Sequence, residues 1–273
     1  MDSSDNPLVS VIMPSYNQGK YIEQSILSVL NQDYKNIEFI VVDGGSTDET
    51  VDILKRYSDR INYWVSEKDA GQSDALNKGF SISKGLIQTY LNSDDLLYAT
   101  AVNDAVKALQ DNPDVDVVYS NIHLIDDRGK VVDLCFPPKF RFKDYLFFGF
   151  PIPQQASFWR NEVYDAVGGF NTKNHICMDH EFYIKAAEKG FSFMHINRIS
   201  AAFRLHKGSK TCSNNRRLLK DELNRIAQNS NSGVDRRLFN LYRVYYRLKY
   251  IPSRMLTKIR FYTKNYDQKG SRV

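Results

Sequence analysis

The sequence predicts an α/β domain built on a mostly parallel sheet flanked by helices, with a basic helical extension at its C-terminal end. Three observations predict it. Over roughly the first 120 residues, apolar runs of strand length alternate with segments whose apolar residues recur at helical spacing. The strand-like runs are almost continuously apolar, as strands buried on both faces of a parallel sheet are. After residue 215 the composition turns basic and aromatic.

Taken in order, Leu8 to Met13 is the first strand, and Pro14 is expected to end it. Gly19 to Asn31 carries Tyr21, Ile22, Ser25, Ile26, Val29 and Leu30 on one helical face. Ile37 to Val42 is the second strand. Ser46 precedes Glu49 by three residues, the spacing of a capping box, and Val51, Leu54 and Tyr57 continue that helix. Ile61–Val65 is the third strand and Gln72–Ser83 the next helix. A strand at Leu86–Leu91, a helix near Ala99–Leu109 and a strand at Val115–Ser120 complete the alternation. There is no internal repeat.

The chain of 273 residues suits one large α/β domain, or a domain of about 200 residues with an appendage. We place the domain at residues 1–215 and the extension at 216–273. Cys135, Cys177 and Cys212 are scattered and have no metal-ligand spacing, which suggests reduced thiols and a cytoplasmic setting. The first residues are polar and acidic, unlike a signal peptide. The longest uncharged stretch, Tyr145 to Trp159, is broken by Gly149, Pro151 and Pro153 and is too short to span a bilayer.

Four loops at the ends of predicted strands carry the polar chemistry: Pro14–Asn17, Asp43–Asp48, Glu67–Asp74 and Asn92–Asp95. In a parallel sheet all four lie on one edge, where open α/β sheets bind ligands. Two adjacent carboxylates, Asp94 and Asp95, repel each other, and a hard divalent cation offsets that repulsion. Asp43 reads either as a turn carboxylate or as an acceptor for a base N–H or a ribose hydroxyl. Asp48 reads equally well as a first-turn residue favoured by the helix dipole.

The ordered set Val9–Asn17, Val42–Asp48, Asp74–Gly79 and Leu91–Asp95 resembles the family 2 inverting glycosyltransferases. Val167–Asn171 with Met178–Phe182 resembles that family's acceptor-side segment, and Ala202–Thr211 its closing loop. The resemblance covers roughly residues 7–212. It implies a GT-A fold, with donor binding in about residues 1–120 and acceptor binding in about 121–215. It implies that Pro14, Tyr16 and Asn17 line the nucleoside pocket, that Asp43 holds the base or ribose, and that Asp74 lies near the base and phosphates. It places Asp94 and Asp95 at the ribose and a metal diphosphate, His206 near the diphosphate or metal, and Asp179 as general base. Asn92 stands where many relatives carry Asp, which removes one negative charge. Met178 stands where an acid often precedes the base, so Asp179 is preferred over Glu181. From the residues alone, Asp179 is a helix N-terminal carboxylate.

The implied activity is transfer of a sugar from a nucleotide-diphosphate donor, a UDP-sugar first, to a hydroxyl of a saccharide or lipid-linked saccharide. The implied cofactor is Mn²⁺ or Mg²⁺. The leaving diphosphate needs charge neutralisation, and the acceptor hydroxyl needs one positioned base. A single inverting displacement needs no enzyme nucleophile, and no activated Ser or Cys signature is present. Two readings compete. A nucleotidyltransferase or dinucleotide-dependent dehydrogenase would need a Gly-rich phosphate loop after the first strand, where Pro14-Ser15-Tyr16-Asn17 stands. A non-enzymatic binder of nucleic acid or membrane would explain the tail but not the carboxylate loops.

His123, His175, His180 and His195 read as surface or satisfied interior groups, Trp64 as core, and Trp159 as either core or acceptor-flanking. Arg216 to Gln228 is a helix expected to bury Leu218, Leu219, Leu223 and Ile226, and Asn229–Gly233 is a turn. Residues 236–264 hold nine Lys/Arg, no Asp or Glu, and interleaved Tyr and Phe, in a chain of net charge +5. That segment is expected either to bring the protein to an anionic membrane surface on the cytoplasmic face, or to pack on the domain or in a homodimer. Nucleic acid is not an expected partner.

Overall fold

In the computed structural model, the strand β1 (Val9–Ser15) pairs in parallel with β2 (Ile37–Asp43) on one side and β4 (Ile87–Tyr90) on the other. β3 (Tyr63–Ser66) extends the parallel run beyond β2. The structure describes residues 6–148, 152–210 and 216–231, together with 241, 242, 244 and 245. Between the strands run α1 (Ile22–Leu30), α2 (Thr50–Arg56), α3 (Gln72–Ile82) and, after the short β5 (Leu96–Leu97), α4 (Ala101–Asp111).

The second half adds β6 (Val117–Ile125), β7 (Val131–Cys135), α5 (Phe142–Phe148), β8 (Ser157–Arg160), α6 (Asn161–Val167), α7 (Met178–Glu188), β9 (Phe193–Arg204) and α8 (Arg216–Asn229). The sheet order is β3-β2-β1-β4-β8-β6-β9-β5, with β7 on β6. β8 is antiparallel to both β4 and β6, so it joins two parallel sets into one mostly parallel sheet. Alternate residues of β1 feed opposite faces: Ile12 packs with Leu76, Phe80 and Trp159, whereas Val11 and Met13 pack with Ile22, Ile26 and Val102.

Several expectations need correction. Pro14 does not end β1. It stays in register with Val42, and Ser15 with Asp43. The β4 ladder on the other side stops at Ile12, so the missing Pro14 N–H costs no bond there. The capping box is not formed, because the Ser46 hydroxyl donates to Asp43 instead. Asp48 accepts from the Thr50 N–H at 3.0 Å and takes over the start of α2. β6 runs to Ile125, five residues past its expected end, because β9 supplies a parallel partner along its length. In α8 it is Glu222, Ile226 and Ala227 that are buried, and Leu218 and Leu219 stay exposed. Trp159 is fully buried, its indole N–H donating to Gln88, so it is core. Of residues 236–264, all but four lie outside the described residues.

One glycine sets the packing of α3 on β1. A Cβ on Gly79 of α3 would stand 2.4 Å from the Ile12 side chain, so only Gly lets α3 lie this close to β1. Two residues earlier, Asn77 reads the backbone of Phe170 in both directions. Its Nδ2 donates to the Phe170 carbonyl at 2.8 Å, and its Oδ1 accepts from the Phe170 N–H at 2.8 Å. The first half of the chain is thereby fastened to the segment before α7.

Candidate active site

Because β1 to β4 are parallel, their C-terminal loops share one edge, and Ser15, Asp43 and Ser66 stand level across three strands. Asp43 is wholly buried. Its Oδ2 accepts from the N–H groups of Gly45 (3.2 Å) and Ser46 (2.8 Å) and from the Ser66 hydroxyl (2.6 Å), and its Oδ1 from the Ser46 hydroxyl (2.6 Å). These bonds are spent on shaping the second loop. That loop reaches back to the first: the Asn17 N–H donates to the Ser46 hydroxyl, and Asn17 Oδ1 accepts from the Thr47 N–H. Asn17 takes a left-handed φ of 51°, a conformation Asn tolerates, and this turns the chain behind Tyr16. Pro14 is buried in β1, while Tyr16 is 60 % exposed at the rim.

The carboxylate that faces the second loop from across the crevice is Asp69. A Cβ on Gly44 would lie 2.8 Å from Asp69 Oδ2, so a side chain here would displace it. Asp69 Oδ1 accepts from the Gly71 N–H at 2.8 Å. Asp74, in the first turn of α3, accepts from the Ala70 N–H at 3.1 Å and lies 3.6 Å from the Lys78 ammonium.

The fourth loop separates its two carboxylates. Asp95 is fully buried. Its Oδ1 accepts from the Arg204 N–H (2.9 Å) and its Oδ2 from Gln155 (3.1 Å) and Asn92 (3.4 Å). Burial, then the neighbouring Asp94, pushes its carboxyl well above the ordinary range. Asp95, expected on the metal side with Asp94, is thus held by donors from three separate segments. Asp94 instead meets His206, Oδ2 to Nε2 at 2.9 Å, and both side chains keep some exposure. Asn92 accepts from Gln72 at 2.6 Å and donates towards Gln154, bracing the third and fourth loops.

Arg204, grouped in the sequence with the basic closing loop, is 1 % exposed and serves the fold. Its guanidinium donates to the Asp94 carbonyl (2.9 Å) and to Gln24 (2.9 Å) and lies over the Tyr21 ring. The same Tyr21 ring packs on His206, with centroids 4.6 Å apart, and its hydroxyl bonds Asp127. Lys210, the loop's last basic residue, donates to Gln72 at 2.9 Å, and burial lowers its ammonium pKa against the pull of Glu222, Asp69 and Asp94.

In α7 the two acids of the first turn are told apart. Glu181 accepts from Asn171 (2.9 and 3.1 Å), Asn174 (2.9 Å) and Arg225 (3.0 Å). Burial raises its carboxyl, but these amides and Lys185 outweigh it and hold the group at about 2. Asp179 has one protein donor, the His180 N–H at 2.8 Å, and burial lifts it to about 6. Its charge acts on the buried phenols of Tyr90, Tyr145 and Tyr183, and Tyr90 also feels Asp95. Tyr90 closes β4 just before the fourth loop, so the carboxylates of Asp179 and Asp95 both act on one buried ring.

Among the described residues no group of three His, Cys, Asp or Glu side chains could hold a metal alone. Asp94 and His206 offer one oxygen and one nitrogen. That pair would suit a divalent cation that also takes oxygen ligands from a diphosphate. Sequence reasoning gave no role to Asp69, Gln155 and Glu222, and misplaced Arg204. For Asp69 and Gln155 the sequence signal is polarity near a motif, and for Glu222 there is none beyond an acid on an amphipathic helix.

The sequence model of Glycosyl transferase family 2 matches residues 10–168. An uncharacterised glycosyltransferase of Methanocaldococcus jannaschii is 32 % identical over 145 residues, 51 % of this chain and 50 % of its own length. A chondroitin synthase of Escherichia coli is 29 % identical over 71 % of this chain and 28 % of its own. The chain spans half or less of the length of these curated relatives. TarS of S. aureus, solved in complex with UDP-GlcNAc, superposes with a TM-score of 0.69 at 17 % identity, covering 90 % of this chain and 73 % of that one. A mannosyltransferase of Pyrobaculum calidifontis, in complex with GDP-Man and Mn²⁺, gives a TM-score of 0.59 at 23 % identity, covering 75 % and 59 %. The shared architecture is the GT-A fold.

Proposed function

The chain belongs to glycosyl transferase family 2, a family of glycosyltransferase enzymes, and from that premise we propose that it transfers a sugar from a UDP-sugar to a saccharide or lipid-linked saccharide hydroxyl with inversion. Asp179 is the base that takes the acceptor proton. The observation that carries this assignment is the split within α7. Glu181 is saturated and held at about 2, whereas Asp179 is half-buried, has one protein donor and is lifted to about 6. A carboxylate with a raised pKa is the better proton acceptor near neutral pH.

Asp94 and His206 hold the divalent cation, Mn²⁺ or Mg²⁺, with the donor diphosphate. The bound cation would neutralise the charge that develops on the departing diphosphate. Tyr16 offers its exposed ring to the base, and Asp69 accepts a base N–H, a role that Asp43, buried and bonded within its own loop, leaves open. Asp43 and Asn17 shape the pocket, and Asp74 fixes the turn at Ala70 that leads into α3. For the UDP preference, the support is the UDP-GlcNAc complex of TarS. For metal use, it is the Mn²⁺ complex of the mannosyltransferase.

An anionic membrane surface is the proposed meeting place with a lipid-linked acceptor, on the cytoplasmic face, through the basic residues 236–264. No helix among the described residues is long and apolar enough to cross a membrane. Within that segment Leu241, Val244 and Tyr245 are exposed, and Tyr242 stacks on Phe147. A homodimer through the same segment is the competing arrangement. The experiment is a thermal-shift panel of UDP, dTDP and GDP with Mn²⁺, followed by release of UDP from UDP-sugars. UDP should stabilise most, since a ligand of the native state raises the melting temperature. A larger shift with GDP would sink the donor assignment.

A further inference from the structure

The family match ends at residue 168, before Asp179, and α8 lies further on still. Yet α8 grips the segment that carries Asp179 on both sides. Glu222 is 5 % exposed, and its carboxylate accepts three successive backbone N–H groups: His175 at 2.8 Å, Ile176 at 2.9 Å and Cys177 at 3.1 Å. These are the three residues that lead into α7, and Cys177, at its N-terminal boundary, makes no side-chain cap. A carboxylate from a helix some 45 residues later thus binds the backbone that leads into α7, sharing the Cys177 N–H with Asn174 Oδ1 at 2.9 Å. One turn further on, Arg225 donates to Glu181 at 3.0 Å. Ile226 and Ala227 are buried beneath these contacts, so α8 is seated by packing as well as by polar bonds.

We propose that α8 is a positioning element of the catalytic centre and that Glu222 is the residue through which it acts. The proposal rests on the reading of Asp179 as the base. Glu222 sets the path of residues 175–177, and that path sets where the first turn of α7 presents the Asp179 carboxylate. Three bonds to one buried carboxylate make a stiff support, because a hydrogen bond to an ionised acceptor is stronger than a neutral one. The donor side is tied to the same segment: the Ser73 hydroxyl donates to the Asn174 carbonyl at 3.3 Å, and Lys210 reaches the His175 carbonyl at 3.4 Å. Glu222 thus orders the strip where the closing loop, α3 and the acceptor segment meet. A displacement of about 1 Å of a reacting group can cost on the order of 10²-fold in rate.

The test compares full-length Glu222→Ala, Glu222→Gln and Asp179→Asn in UDP release from UDP-GlcNAc with Mn²⁺, alongside titration calorimetry of UDP. Glu222→Ala should lower kcat by roughly ten- to a hundredfold, leave UDP affinity within about twofold, and move the acid limb of the pH–rate profile. Glu222→Gln keeps one acceptor oxygen and should recover part of kcat. Amide exchange at residues 175–177 should quicken in Glu222→Ala. Wild-type kcat and an unmoved acid limb in soluble Glu222→Ala, with Asp179→Asn inactive, would overturn the positioning role alone. Near-normal kcat in Asp179→Asn would overturn the base assignment and the inference with it. If Glu222→Ala does not fold, Glu222→Gln carries the test: a lowered kcat with UDP affinity kept supports the role, and wild-type kcat with an unmoved acid limb overturns it.

Discussion

The pH–rate profile offers the sharpest check on the base. Burial lifts the Asp179 carboxyl to about 6, against an ordinary 3.8. A base must be ionised to accept a proton, so activity should fall as the pH drops through about 6. With that pKa the carboxylate is about 90 % ionised at pH 7 and about 10 % at pH 5, a fall of roughly tenfold in kcat/KM. An unperturbed aspartate would stay more than about 90 % ionised at pH 5 and give a flat profile. The assay is initial-rate UDP release between pH 4.5 and 8, with UDP affinity measured at each pH so that changes at the Asp94–His206 pair are separated from the base. Asp179→Asn should lose on the order of 10²-fold or more in kcat and its residual rate should not show the limb. Glu181→Gln should keep the limb. The stability sign is opposite to the activity sign. A carboxyl raised in the folded state disfavours folding once ionised, so Asp179→Asn should raise the melting temperature above pH 6 and leave it unchanged near pH 4. A flat profile from pH 7 to 5, or a limb that survives in Asp179→Asn, refutes the reasoning.

Other outcomes follow from the same geometry. Asp94→Ala should abolish Mn²⁺-enhanced UDP binding while the melting temperature of the free protein holds, whereas Asp95→Ala should cost about 3 kcal/mol by stranding the Arg204 N–H and the Gln155 and Asn92 amides; chemical denaturation and calorimetry distinguish the two. If Asp94 and His206 are the protein's ligands, Mn²⁺ should bind weakly alone and tightly with UDP, which water-proton relaxation reads directly. Asp69→Asn should weaken UDP and relax discrimination against CDP in calorimetry, since an amide can donate where a carboxylate only accepts. Full-length protein should float with anionic vesicles at low salt and be released at high salt; if it ignores them, residues 236–264 have another role, with the dimer the first to examine by light scattering.

The parallel strands and the sheet edge where the loops converge were legible because a strand buried on both faces must be apolar throughout, and Val9–Met13, Ile37–Val42 and Leu86–Leu91 are. What the pattern could not reveal was which polar side chains face inward. Asp43 and Asp95 look like ligands in the sequence because each closes a strand at the right edge. In the structure both are buried acceptors for N–H donors of their own or neighbouring loops. Their burial depends on partners far away in the chain, above all Arg204 for Asp95, and no local spacing encodes that pairing. The same holds for Glu222, which reads as one acid on an amphipathic helix and instead binds the backbone N–H groups of residues 175–177 ahead of α7. Burial sorts these acids by how many donors each one meets. Glu181, with four donor groups, is driven down to about 2, and Asp179, with one, is driven up to about 6, although they sit two residues apart on one helix. The family resemblance prefers Asp179, but the residues alone show two acids in the first turn of one helix. Only the count of donors around each, set by Asn171, Asn174 and Arg225 converging on one and not the other, makes one a brace and leaves the other free to take a proton.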